Sequence, residues 1–462
     1  MSVRPLALAA LSVGLVTTPL LAPYLLSPSA VAVGAKRASI GNPVEGNLGY
    51  NAFVEHDTVL GSTEAEGPIA TGGNLAFGSG YNVSLHTPGT FTAPGDAHPA
   101  ALVVGGRVDF AGSSPDGVLK VLSGGYTKIG DMTGSLAVDR DVNNAQVDTQ
   151  VVAAGAAHNS VPRIEMTLDQ PPASVGPAPG LIDFTTAFEV FRERARVMAA
   201  CAQNVTLVDD AGAPLPDGPY PPGVIGHLTL TPGRTNVLHL TGQQLNALSE
   251  INFRNQPTRD TPLVVVVDTT AEGGVFNWDN PNTSGISGPQ APYVLWDFPD
   301  ATDITMVSGD SLEGTIYAPS AHLKDVNVSN IEGDVIARSY EAGPLVGGRS
   351  TLAGELHYWP FDAAVACEDT SPSPSPSPSG SGSGHPAPSP SPSPSPSQST
   401  SAHPAPSPSP SSSRTLPAPS PTGPGGELPA TGADLPLPLT AATAAAALTA
   451  GTLLLRRRGR KH

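Results

Sequence analysis

Ile69-Ala70-Thr71-Gly72-Gly73-Asn74-Leu75-Ala76-Phe77 and Leu102-Val103-Val104-Gly105-Gly106-Arg107-Val108-Asp109-Phe110 are near copies of one phrase, an apolar strand, a Gly-Gly turn and a second short strand. The phrase returns in shortened form as Gly314-Thr315-Ile316-Tyr317-Ala318-Pro319 and Gly333-Asp334-Val335-Ile336-Ala337-Arg338, spaced by about twenty residues. Strand, turn and strand at that period, rich in Gly and Asn and poor in aromatics, predict successive coils that stack Val, Ile and Leu inward. The fold class expected is therefore mainly β, a β-solenoid or β-helix-like domain. A β-sandwich is the alternative, because alternation and turn signals alone do not separate the two.

One segment breaks this pattern. From Asp183, placed to cap a helix, Phe184, Ala187, Phe188, Phe191, Ala195, Met198 and Ala202 recur at helical spacing, while Glu189, Arg192, Glu193, Arg194 and Arg196 fill the other face. The spacing predicts one amphipathic helix over 183–202 lying alongside the strands, with its Phe and Met stripe as core.

Outside this part of the 462-residue chain the composition changes. Residues 1–32 carry Arg4, an apolar run from Pro5 through Leu26 and the small-residue site Ala30-Val31-Ala32, the layout of a secretory signal peptide. Residues 368–426 are almost wholly Ser, Pro, Gly and Ala from Asp369 on, too poor in apolar surface to offset chain entropy. They predict a disordered, extended spacer, reaching on the order of 150–180 Å at ~3.1 Å per residue. Leu435 to Leu455 has the ~20-residue length that a helix needs to cross about 30 Å of hydrocarbon, although Pro436 and Pro438 weaken its outer end. The basic cluster Arg456-Arg457-Arg458-Gly459-Arg460-Lys461 behind it is of the kind that stays cytoplasmic. Residues 45–367 remain for folding, enough for one large domain or two modest ones.

Without its two end segments the chain keeps 17 of 23 Lys and Arg and 39 of 40 Asp and Glu, a net charge of −22. Such an acidic product offers no basic patch for nucleic acid or anionic membrane faces. Cys201 and Cys367 are the only two cysteines. In an exported protein a lone pair predicts a disulfide.

The tail resembles the sorting signal that Gram-positive sortases read. Leu428-Pro429-Ala430-Thr431-Gly432 is an LPxTG pentapeptide, followed in order by the apolar segment and the basic stop, over residues 427–462. The resemblance implies cleavage between Thr431 and Gly432 and transfer of the Thr431 carboxyl to a peptidoglycan amine, so that the membrane span is transient. An ordinary C-terminal anchor is the alternative.

A second resemblance covers the folding part. Gly49-Tyr50-Asn51-Ala52-Phe53-Val54 and Glu66-Gly67-Pro68-Ile69-Ala70-Thr71-Gly72-Gly73-Asn74 are similar to the opening of the choice-of-anchor A domain of bacterial surface proteins. Val294-Leu295-Trp296-Asp297-Phe298-Pro299-Asp300-Ala301, Glu332-Gly333-Asp334-Val335-Ile336-Ala337 and Gly354-Glu355-Leu356-His357-Tyr358-Trp359-Pro360-Phe361 match its close. The resemblance implies an adhesive role and brings no catalytic residues. The partners expected are a sortase, peptidoglycan and an extracellular ligand of unspecified chemistry, with no nucleic acid, cofactor or metal.

Chemistry-bearing residues are sparse. His56-Asp57 is an adjacent pair that points to opposite sides of a strand and reads as surface decoration. Asp297, Asp300 and Asp303 offer oxygen ligands for calcium without an EF-hand spacing, so turn capping is the expectation. Tyr293, Trp296 and Phe298 with Tyr358, Trp359 and Phe361 read as core more than as a ligand platform. A polysaccharide-active enzyme would need converging carboxylates, and no paired motif declares itself. Ice binding would need a flat Thr-rich face, whereas Leu228-Thr229-Leu230-Thr231 alternates only locally before Pro232 and reads as an edge or surface strand. A non-enzymatic surface protein is the function expected.

Overall fold

The computed structural model describes residues 39–367. The signal peptide expected over 1–32, the spacer expected over 368–426, and the expected sorting signal with Leu428 to Gly432 and the 435–455 span lie outside the described residues.

The described chain is mainly β. Short apolar runs form β1 (Ala52–Val54), β2 (Ile69–Thr71), β3 (Ala100–Val104), β4 (Tyr126–Ile129), β5 (Ser135–Arg140), β6 (Gln146–Ala153), β7 (Asn236–Thr241), β8 (Leu263–Asp268), β9 (Val294–Asp297), β10 (Thr315–Asp325) and β11 (Val335–Ala342). On one face they lie in the order β4-β3-β2-β1-β11-β10-β9-β8-β7, every neighbouring pair parallel. The two phrases read as successive coils are lateral neighbours, with Ile69, Ala70 and Thr71 opposite Leu102, Val103 and Val104. Chain order and stacking order nevertheless part company. The chain grows outward from β1 to β4, crosses to the far end, and returns from β7 to β11, which closes against β1 through Ala52 opposite Val335.

The Gly-Gly turns exist because stacked turns approach too closely for side chains. A Cβ on Gly105 would stand 2.7 Å from the Gly72 carbonyl oxygen, and one on Gly130 would stand 2.0 Å from that of Gly105. The ladder continues through these corners, with Gly106 N–H donating to Gly73 O and Gly73 N–H to His56 O, both at 2.9 Å. The Glu-Gly corner before β11 obeys the same rule, since a Cβ on Gly333 would meet Gly314 O at 2.5 Å. Gly333→Ala is expected to destabilise the domain by about 1–3 kcal/mol, as forced backbone movement in a packed interior does. Denaturant unfolding measures it, against Gly80→Ala, where a Cβ meets nothing within 4 Å and the backbone is not left-handed.

Three α-helices occur among the described residues where the sequence reading expects one: α1 (Pro172–Val175), α2 (Phe184–Ala199) and α3 (Gly242–Ala247). The predicted 183–202 helix is α2, shortened because Ala200 already caps its end. The Asp183 side chain accepts from Thr186 N–H at 3.1 Å and caps its start. Phe184, Phe188, Phe191, Ala195 and Met198 are its buried stripe. Phe53 of β1 is clasped between the rings of Phe184 and Phe188, at 4.9 and 5.9 Å, with Phe191 edge-on. Tyr317 of β10 donates to the carbonyls of Phe191 and Pro43, and Arg192 pairs both its terminal nitrogens with Glu55. Each fully buried Phe or Met contributes about 1.5–3 kcal/mol, so this stripe holds α2 on the sheet.

The inner core is lined from the opposite sides of the same strands. Trp278, Trp296, Phe276 and Phe298 form an aromatic cluster with centroids 5.0–6.4 Å apart. Trp296, Phe298 and Phe361 are thus core, while Tyr293, Tyr358 and Trp359 are half-buried. Leu228 closes the strand Val224–Leu228, which pairs in parallel with Leu248–Phe253, and Leu228 and Leu230 point into the core while Thr229 and Thr231 are exposed. Asp297 departs from the turn-capping expectation. It stands inside β9, fully buried, because α2 covers the outer face of that strand and both its faces are interior.

Candidate functional site

With one face covered by α2, the remaining sheet faces are the surfaces on which a binding function can be built. The first is formed by Val275–Asn280, Asp303–Gly309, the second halves of β10 and β11, Thr58–Leu60 and Leu75–Phe77. Alternation turns Phe276, Ile304, Leu323, Tyr340 and Leu60 inward. The register places Asn277, Thr305, Lys324, Glu341, Val59 and Ala76 side by side in one outward row. His322 reaches Glu341 at 3.2 Å, and this pair with the Lys324 charge holds the Glu341 carboxyl below the usual range. This row sets Asn277, Lys324 and Glu341 beside Val59 and Ala76 and holds a single threonine, Thr305.

The second face carries a row of carboxylates around one imidazole. Glu313 lies opposite Glu332, and Glu332 opposite His357, on three adjacent parallel strands. His357 Nδ1 is 2.8 Å from Glu332 Oε1, and its Nε2 is 3.1 Å from Glu355 and 3.9 Å from Glu66. Glu66 holds His86 at 3.1 Å and accepts the Tyr358 N–H at 2.9 Å. Partial burial works to lower the His357 pKa. The hydrogen bonds to Glu355 and Glu332 and the charges of Glu332 and Glu66 outweigh it, and the imidazole is pushed up toward its cationic form. Burial pushes the Glu313 carboxyl up to about 7, helped by Glu332 and Asp310 and opposed by the hydrogen bond from Thr283. Both imidazole nitrogens face carboxylates, so this is a hydrogen-bonded charge cluster in which His357 is already engaged.

Cys201 and Cys367 are joined in a disulfide with Cα atoms 5.1 Å apart, tying the end of α2 to the last described residue. His56 is exposed, and Asp57 Oδ1 accepts the Asn74 N–H at 2.7 Å, across a corner between neighbouring strands. Asp300 is exposed, and Asp303 opens its strand opposite His322. The calcium trio is therefore dispersed, with Asp297 alone in the interior. The carboxylate row was missed by reading the sequence segment by segment, yet it has a signal. Glu66-Gly67, Glu313-Gly314 and Glu332-Gly333 each precede a strand of the parallel ladder, so equivalent corners align their glutamates on one side.

A family model described as an ice-binding-like adhesive domain matches residues 43–348. No curated protein matches the chain. A crystal structure of an ice binding protein from an Antarctic biological consortium aligns over 70% of this chain and 92% of its own, at 9% identity and a TM-score of 0.25. A likeness that low carries no argument.

Proposed function

The chain belongs to the ice-binding-like adhesive domain family, and we propose on that premise that it is an exported surface adhesin, tethered to the wall that it is displayed from. In this reading the parallel ladders are the coils of a β-solenoid, as the strand, turn and strand period of the sequence predicts. The domain over 45–367 acts by binding, not turnover. The spacer over 368–426 carries it clear of the wall, and a sortase joins Thr431 to peptidoglycan after the signal peptide has directed export. The family match carries the adhesive part of the reading. The succession of Leu428 to Gly432, apolar segment and basic stop in the sequence supports the anchoring part.

Ice binding is the less favoured use of the same scaffold. The row from Asn277 to Ala76 sets Lys324 beside Glu341, and the other face sets Glu332 beside His357. Neither is the flat, regular threonine surface that ice binding calls for. Expression in a sortase-bearing Gram-positive host tests the anchoring. The chain is expected in the muramidase-released wall fraction with Thr431 joined to a wall peptide, detected by mass spectrometry. Thr431→Ala is expected to shift it to the membrane fraction. Equal wall linkage of the two would contradict the proposal.

A further inference from the structure

Terminal strands of parallel ladders expose unpaired backbone groups, and here most are closed by side-chain amides. Gln170 bonds both the N–H and the carbonyl of Thr127 at 2.8 Å and so closes β4. Asn204 accepts from Val237 N–H and donates to Thr235 O, both at 2.9 Å, and closes β7. Asn246 does the same for the strand Val275–Asn280, donating to Asn277 O at 2.7 Å and accepting from Asp279 N–H at 3.1 Å. An amide side chain has the donor and acceptor of a peptide unit, so each acts as one residue of a further strand without offering an edge of its own.

β5 is the exception. It ends the nine-stranded sheet, pairs antiparallel with β6 alone, and has no buried residue. Its sequence Ser135-Leu136-Ala137-Val138 contains neither Pro nor Lys, and Leu136 is 42% exposed. The one irregularity in its pairing falls between Val138 and Arg140, so the first four residues remain regular.

We propose that β5 is a docking edge for the β5 of a second copy of this chain. The occupant follows from self-complementarity. An antiparallel pair with its two-fold axis at Ala137 sets Leu136 against Val138 of the other copy, and the reverse, on one face. It brings Ser135 against Asp139, so no like charges meet. Apolar cross-strand pairs of this kind stabilise antiparallel pairing. A two-fold contact also consumes both open edges and closes at a dimer. The contact is short and the chain strongly acidic, so the pairing is weak in dilute solution and strengthened by salt. The high local concentration of a displayed protein raises its occupancy. That last point rests on the wall display proposed above; the pairing does not.

The test uses the full chain in detergent, by sedimentation equilibrium. Reversible dimerisation is expected, with the paired variant Leu136→Lys and Val138→Lys at least ten-fold weaker and its melting transition unchanged. A full chain with Ala137→Cys is expected to give a covalent dimer on mild oxidation, because that residue meets itself on the axis. Val161→Cys, exposed elsewhere, is expected to give none. A monomeric wild type, a dimer indifferent to the β5 lysines, or equal cross-linking at both cysteines would overturn the proposal. Capture of an unrelated extended peptide by β5 without self-pairing would do so as well. Failure of wall anchoring at Thr431 would leave all these readouts in place.

Discussion

Raising the pH from about 4.5 to about 8 is expected to lower the melting temperature of the domain, by about 5–10 °C on the scale of 2–4 °C per kcal/mol. The cause is a set of carboxyls folded into places where their charged forms are costly. Asp334 is fully buried, and burial pushes it up to about 7 against the Phe361 N–H and the Asn51 and Asn47 side chains, the first and last of these at 3.4 Å. Asp325, also pushed up to about 7 by burial, is opposed only by the Asn327 N–H. Asp297 has neither oxygen hydrogen-bonded among the described residues, and burial, with Asp300 adding, holds it well above the carboxylate range.

Each of these acids keeps its proton in the folded chain over a range where the unfolded chain has lost it. Stability therefore falls as pH rises from about 4 and levels off near 7 for the groups held there. His357, raised overall, adds support below its unfolded value and loses it as pH rises through its folded one, which is the same sign. Asp131, Asp141 and Asp183 are lowered by hydrogen bonds from Thr133, Ala145 and Thr186, and their support disappears only in stronger acid. The optimum is thus mildly acidic. One pK unit is worth about 1.4 kcal/mol, so the shift at Asp334 alone caps its cost near ~4 kcal/mol, and relaxation of the surroundings reduces it. Melting Asp334→Asn beside the wild type at both pH values checks the assignment. The variant is expected to lose part of the slope, and a wild type that gains stability toward pH 8 would contradict the account.

Removal of the disulfide is the second large effect. Cys201 and Cys367 are 166 residues apart in sequence, and closing so long a loop restricts the unfolded chain by about 4–5 kcal/mol in the chain-entropy picture. The bridge fastens two further things. Cys201 follows α2, whose Phe stripe covers the sheet, and Cys367 follows Val365–Ala366, the strand that pairs with Ser39–Gly41. Cys201→Ala with Cys367→Ala is expected to cost about 2–5 kcal/mol, read as a lower denaturant midpoint. An unchanged midpoint in the double variant, or in the wild type under reductant, would show that the bridge restrains nothing the rest of the fold does not.

Local elements of the fold were legible in the sequence because their causes are local. The Gly-Gly phrases declare corners, since only glycine tolerates the contact between Gly72 and Gly105, and the Phe184-to-Met198 stripe declares α2. Stacking order was not legible. That β11 closes on β1, with Ala52 opposite Val335, is decided by closure between segments nearly the whole domain apart, and no local pattern encodes it. Asp297 was misread for a related reason, because a carboxyl beside Pro299 and Asp300 resembles a turn residue until α2 is known to lie over it. The carboxylate row around His357 shows the intermediate case. Its residues are scattered from Glu66 to His357, but the repeated Glu-Gly corner was there to be aligned.

The most direct test of an adhesive function is binding of purified residues 33–367 to an immobilised panel of matrix proteins, cell-wall glycans and other polysaccharides, with calcium and with chelator. The account predicts saturable binding to a member of the panel, weakened when the charges of the outward row are reversed by Lys324→Glu and Glu341→Lys together, with the panel member left intact. Absence of binding, accompanied by progressive shortening of a polysaccharide in the same wells, would contradict it and identify the domain as an enzyme.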